Sequence, residues 1–178
     1  SANIEGGRKV ADFLVAGGPK RIAHIAGWEG SSTGRDRRRG FTEGLATHGQ
    51  TPLEIIDGMY ARGASIEATR RLMARSDPPD AIFVGNDHMA FAVMDTLRQE
   101  LGLRVPQDVS VVGYDDVPLA SWGAYDLTTV RQPVNRMVEA TVETILAKIE
   151  DPDRPAQKIE IDGPLIVRGS ALAPGGWT

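Results

Sequence analysis

The chain has 178 residues, 41% hydrophobic and 25% charged, a composition that suits a single ordinary globular core. It contains no cysteine, which excludes a disulfide framework, a thiolate metal site and thiol redox chemistry, and makes a reducing cytoplasm the natural setting. A net charge of −4 supplies no basic footprint for nucleic acid, and no apolar run approaches the roughly 20 residues of a membrane helix.

The chain opens on Ser1 with no charged-then-apolar leader, so it is expected to be a fragment of a longer protein. Asn3 is a candidate N-cap for a helix in which Val10, Phe13 and Leu14 share a face, stopped by Gly17, Gly18 and Pro19. Arg21 to Ala26 is a short apolar strand ending at Gly27, and a second helix is expected from about Gly34 to His48 with Phe41 and Leu45 inward. The unit then repeats. Leu53 to Ile56 is an expected strand, and Ile66 to Ala74 a helix with Ile66, Thr69, Leu72 and Met73 inward. Ala81 to Val84 is another strand, followed by a helix from Asp87 to Leu101 with Gly102 as its stop. Val109 to Val112 closes the series. Continuous apolar strands alternating with amphipathic helices predict an α/β fold, a doubly wound parallel sheet covered on both faces.

The last third differs. Thr128 to Arg131 is a strand candidate, and Val134 to Ile149 a helix with an apolar stripe of Val134, Met137, Val138, Val142, Ile145 and Ile149. Two short strands, Lys158 to Ile161 and Leu165 to Val167, are expected before a tail rich in proline and glycine.

Ligands of open parallel sheets bind outside the carboxyl ends of the strands. Here that rule selects the loops after Gly27, Gly85 and Gly113, where glycine allows a sharp turn and close approach of a ligand to the backbone. Arg37 precedes Phe41 by one turn and so projects inward, toward Asp115. The pair is either a donor fork beside a carboxylate, suited to vicinal sugar hydroxyls, or a salt bridge fixing helix to sheet. Arg38 and Arg39 turn outward to solvent. In the Asn86-Asp87 pair, capping is assigned to Asp87 and ligand contact to Asn86. His88 is a capping or packing residue, and His24 and His48 lack metal-ligand spacing. Trp28, Tyr60 and Trp122 are either stacking platforms for an apolar sugar face or ordinary rim and core aromatics. Elbow, phosphate-loop and dinucleotide motifs are missing, and Asp115 beside Asp116 is an adjacent pair, not a facing one, so no enzyme is expected.

Several stretches carry a resemblance. Ser110 to Ala120 reads S-V-V-G-Y-D-D-V-P-L-A, and Asp126 to Pro133 reads D-L-T-T-V-R-Q-P. Arg37 to Phe41 is R-R-R-G-F, Ala81 to Ala90 is A-I-F-V-G-N-D-H-M-A, Gly102 to Ser110 is G-L-R-V-P-Q-D-V-S, and Leu165 to Ser170 is L-I-V-R-G-S. In this order and spacing, over nearly the whole chain, they closely resemble regulators of the LacI/GalR family.

The resemblance implies a type I periplasmic-binding-protein-like fold, mainly its second subdomain. Residues 1–126 and 154–178 would form the effector-binding subdomain. Residues 127–153 would cross to a first subdomain that, like the DNA-binding headpiece, lies outside this chain. Arg37, Asn86 and Asp115 fall on the family's effector positions. Tyr60 falls where an aromatic often lies, if Ser65 replaces the glycine that opens the next helix, and Ser31 and Thr33 fall in a loop that varies with the ligand. Implied partners are a small-molecule effector, a sugar or sugar derivative ahead of a nucleobase or nucleoside, operator DNA through the headpiece, and a second copy in a homodimer. No cofactor and no membrane are implied, and the setting is cytoplasmic. The apolar stripe from Val134 to Ile149 is expected to favour self-association. The alternative is a periplasmic sugar-binding protein of an ABC transporter, against which the G-Y-D-D-V-P and L-T-T-V-R-Q-P wording counts.

Overall fold

The computed structural model describes residues 1–177. Six strands, β1 (Ile22–Ala26), β2 (Ile55–Asp57), β3 (Ala81–Val84), β4 (Ser110–Asp115), β5 (Thr128–Arg131) and β6 (Leu165–Ile166), form one sheet in the order β2-β1-β3-β4-β5-β6. The first five pair in parallel and β6 runs antiparallel to β5. The chain steps outward from β1 to β2 and then back past β1 to β3, so the winding reverses between β1 and β3. Such a reversal opens a crevice at the strand carboxyl ends.

Alternation along the buried strands supplies two cores, one on each face. Ile82, Val84 and Val111 face Leu72, Val93 and Leu97 on one side. Phe83, Val112 and Tyr114 face Phe13, Leu14, Phe41 and Leu45 on the other. The helices are α1 (Asn3–Ala16), α2 (Ser32–Thr47), α3 (Arg62–Met73), α4 (Asp87–Asp95) and α5 (Val134–Glu150). No helix of the described residues is long and apolar enough to cross a membrane.

Glycines set the distance between α1 and α2. A Cβ on Gly40 would overlap the carbonyl of Ile4, and one on Gly7 would overlap that of Arg37. The two helices therefore meet backbone to backbone, which sets the height of Arg37 above the sheet. His24 of β1 is spent on the second core. It is fully enclosed, its Nδ1 lies 2.9 Å from the Phe83 carbonyl oxygen, and its ring stacks on Phe83 at 4.5 Å. Burial pulls its pKa down to about 4, so the imidazole is neutral.

Several expectations need correction. Asn3 is the first residue of α1, with Ala2 in the capping position. Strand β2 is displaced toward Asp57. Helix α3 opens a turn earlier than its apolar pattern indicated and buries Ser65, Ala68, Thr69 and Leu72, while Ile66 and Met73 are only half-buried. Small residues line this contact because the Ser65 and Thr69 hydroxyls donate to the Ala61 and Ser65 carbonyls, at 2.8 and 2.7 Å, and need no other partner. Helix α4 continues past Asp95 as a π-helical turn over Thr96–Glu100.

Lys158 to Ile161 forms no strand; Lys158 and Glu160 instead pair in solvent. Leu127, Thr128 and Thr129 are completely buried, and β5 pairs with β4. The chain leaves the sheet only after Arg131. Beyond it, α5 buries no residue, and its apolar stripe is open to solvent from Val134 (58% exposed) to Ile149 (70%).

Candidate ligand-binding site

The loops after β1, β3 and β4 gather where the winding reverses, and Arg37 ties them together. Its guanidinium is 3% exposed and donates in three directions: Nε to Asn3 Oδ1 at 3.1 Å, Nη1 to the Gly85 carbonyl at 2.6 Å, and Nη2 to Asp115 Oδ1 at 2.9 Å. The planar cation also lies 3.7 Å over the Tyr114 ring, a cation–π contact in a dry setting. Three of the five N–H donors of an arginine are thus used inside the protein. The helix-to-sheet tie is present, and two donors remain.

Asp115 sits at the boundary with solvent, its side chain 26% exposed against 4% for Arg37. Its Oδ1 accepts from Arg37 and, at 3.0 Å, from Gln132 Nε2, while Oδ2 has no partner among the described residues. Both Asp115 (φ +115°) and Asp116 (φ +56°) hold left-handed backbone, which costs on the order of 1–3 kcal/mol per residue and marks sites over-determined by their surroundings. Here Asp116 is the restraint. Its carboxylate, 6% exposed, accepts from Arg131 Nε at 2.6 Å and Arg168 Nη2 at 2.8 Å.

The capping expected of Asp87 falls instead to Asn86. Asn86 is the N-cap of α4, its Oδ1 accepting from the Met89 N–H at 2.9 Å, which leaves Nδ2 as a donor with no acceptor among the described residues. Asp87 does no capping. It is completely buried and accepts from Thr129 Oγ1 at 2.7 Å and from the Val117 N–H at 2.9 Å. Burial pushes its carboxyl up to about 7, against the pull of these two bonds. His88 is exposed and packs edge-on against Phe91.

Two of the strand-end glycines make room for the protein's own side chains. A Cβ on Gly27 would enter the Tyr60 ring, and one on Gly113 would overlap Asp87 Oδ1. Tyr60 follows Met59 in a left-handed pair (φ +53° and +55°), and its hydroxyl is buried with no partner among the described residues. Ser65 is the fourth residue of α3, in its first turn, and Tyr60 reaches the end of β1. Ser31 caps α2 through a 3.3 Å bond from the Gly34 N–H, and Thr33 is half-buried in the first turn. Trp28 (51% exposed) and Trp122 (62%) belong to the rim, not the core. Gln132 and Arg168 carried no signal of their own, and the role of Asp116, like theirs, depends on contacts remote in the chain.

The loop cluster is an open face, polar at the centre and aromatic at the edge. A separate cavity of about 410 Å³ lies against α5, lined by Gln132, Val134, Met137, Val138, Thr141 and Val142. Of its lining residues, Gln132 also bonds to Asp115 of the cluster.

A mostly parallel sheet wound in both directions, with polar loops converging at its carboxyl edge, defines a ligand-binding α/β domain. Residues 11–171 match the family model of the periplasmic binding protein-like domain. The chain belongs to that family, in the form found in LacI-family transcriptional regulators. It is 34% identical to the HTH-type transcriptional repressor PurR of Photobacterium profundum over 168 residues, 93% of this chain and 50% of the relative. It is likewise 34% identical to the ribose operon repressor of Escherichia coli over 174 residues, 95% of this chain and 52% of the relative. Among solved structures, a LacI transcriptional regulator from Rhodococcus superposes with a TM-score of 0.88 at 32% identity, covering 98% of this chain and 63% of that one. The transcriptional regulator CelR–cellobiose complex gives 0.88 at 32%, covering 96% of this chain and 52% of that one. The chain spans about half the length of the curated relatives it matches.

Proposed function

We propose that this chain is the effector-sensing part of a DNA-binding transcriptional regulator of the LacI family, not an enzyme, and that its effector is a sugar or sugar derivative. The observation that carries this is the Asp115 carboxylate, fixed on one oxygen by Arg37 and Gln132 and left with the other unpaired. The free Asp115 oxygen accepts from a ligand hydroxyl, while the spare Arg37 donors and Asn86 Nδ2 donate to neighbouring hydroxyls. Tyr60 and Trp28 supply aromatic surface to the apolar face of the ring, and Ser31 and Thr33 tune which ligand fits. Two relatives point to sugars by name, the ribose operon repressor and the regulator in complex with cellobiose. A nucleobase or nucleoside is the second ligand class.

In the intact protein the effector is clamped between this subdomain and one beyond α5. It shifts the population between clamp geometries and, through a headpiece outside this chain, changes operator affinity in a cytoplasmic homodimer. Coupling of this kind is typically about 1–3 kcal/mol. The transporter alternative loses ground, since the relatives compared are repressors and regulators. A thermal-shift screen of the full-length protein against monosaccharides, disaccharides, sugar phosphates and nucleosides tests the ligand class. Stabilisation by sugars is the expected result; stabilisation by nucleosides alone overturns the sugar assignment.

A further inference from the structure

Asp87 is absorbed neither by the ligand set nor by the capping of α4. It is the first residue of that helix, directly after Asn86, and is completely buried. One carboxylate oxygen accepts from the Thr129 hydroxyl on β5, and the other from the Val117 N–H, just beyond the strained Asp115–Asp116 pair. Gly113 on β4 is the cradle: any side chain there would occupy the space of Asp87 Oδ1. One carboxyl group thus joins the loop carrying Asn86, the loop carrying Asp115, and β5.

We propose that Asp87 is a positioning residue of the effector site, and that gain or loss of one proton on its carboxyl loosens or tightens the loop that presents Asp115. This rests on the effector-site assignment above and adds regulation to it. The ionised carboxylate accepts from both donors at full strength. On protonation one oxygen becomes a donor. The Thr129 hydroxyl can rotate to accept, but the Val117 N–H can only donate, and its bond to a neutral carboxyl is weaker. The left-handed turn then loses its downstream tether.

The surrounding charges favour a proton near neutrality. Asp115 and Asp116 face Asp87 from the end of β4; the first is paired with Arg37 of α2 and Gln132. The second is paired with Arg131 of β5 and with Arg168 after β6. No cation pairs with Asp87 itself among the described residues. Burial therefore dominates and raises its carboxyl to about 7.

The test is an NMR titration of the chain without ligand from about pH 5 to about pH 9, following the Val117 and Asn86 amides and the Arg37 Nε–H. All three are expected to move with one midpoint near neutrality. That transition is expected to vanish in Asp87→Asn and to move to higher pH in Thr129→Val, which removes a hydroxyl favouring the ionised form. The second variant retains the titrating group and serves if Asp87→Asn fails to fold. Amides that do not titrate, or a transition that survives Asp87→Asn or stays in place in Thr129→Val, overturn the proposal. A titrating Val117 beside an unmoved Arg37 Nε–H also overturns it, reducing Asp87 to a stabilising contact. Because no ligand is added, these outcomes are independent of the sugar screen.

Discussion

Arg37 and Asp115 meet at 2.9 Å across a boundary, one side chain 4% exposed and the other 26%. The buried cation is held by α1, α2 and the end of β3, and it fixes a carboxylate whose other oxygen faces outward. The salt bridge is present, and on the proposed reading the same contact presents Asp115 to the ligand. Arg37→Ala leaves Asp115 short of its cation and the Gly85 carbonyl and Asn3 amide oxygen without their donor. A loss of about 3 kcal/mol in urea unfolding is expected, at the lower end for a broken buried pair because Asp115 is partly hydrated.

Asn86 caps α4 and, on the proposed reading, donates to the ligand, and substitution separates the two. Asn86→Asp keeps an acceptor for the Met89 N–H and replaces the free donor with an acceptor, so stability is expected within about 0.5 kcal/mol of the parent while affinity for a hydroxylated ligand falls about tenfold or more. Asn86→Ala also removes the cap and costs about 1 kcal/mol in thermal or urea unfolding.

Gly40→Ala tests the contact between α1 and α2. Its Cβ would meet the Ile4 backbone, which has no flexible end to move aside, so the helices must separate. A destabilisation of about 2–3 kcal/mol is expected in urea unfolding.

Two buried titrating groups act in opposite directions. His24 falls from its ordinary 6.5 to about 4 on folding, so the stability tied to its neutral form is present above pH 6.5 and lost as pH falls toward 4. Asp87 rises from 3.8 to about 7, so its contribution is complete below 3.8 and lost as pH rises through 7. Each swing is on the order of 3 kcal/mol, and in the parent they largely cancel across the acidic range. Relative to the parent, His24→Gln is expected to lose stability as pH rises from 4 to 7, and Asp87→Asn to lose it as pH falls through the same interval. Unfolding midpoints across pH check both slopes.

Much of this was legible in the chain. The apolar runs at Ile22–Ala26, Ala81–Val84 and Val109–Val112 announce buried parallel strands, and the one-turn spacing from Arg37 to Phe41 points the guanidinium inward. What stayed hidden depends on distant neighbours. Asn86 and Asp87 are both good caps, and the choice is made by Thr129 and by the space over Gly113. Helix α3 opens on Arg62, Gly63 and Ala64, which carry no apolar period to betray its start. The membership of Thr128–Arg131 in the main sheet follows from its parallel pairing with β4 and from Ser170, whose Oγ accepts from the Thr128 N–H at 2.8 Å.

The decisive measurement is calorimetric titration of the best-stabilising sugar into the full-length protein and into Asp115→Asn. That variant keeps an acceptor for Arg37 but replaces one carboxylate oxygen by a donor. Sugar binding to the parent with a loss of about tenfold or more in the variant is the expected result, equivalent to at least about 1.4 kcal/mol. Equal affinity for both proteins contradicts the placement of the effector on Asp115.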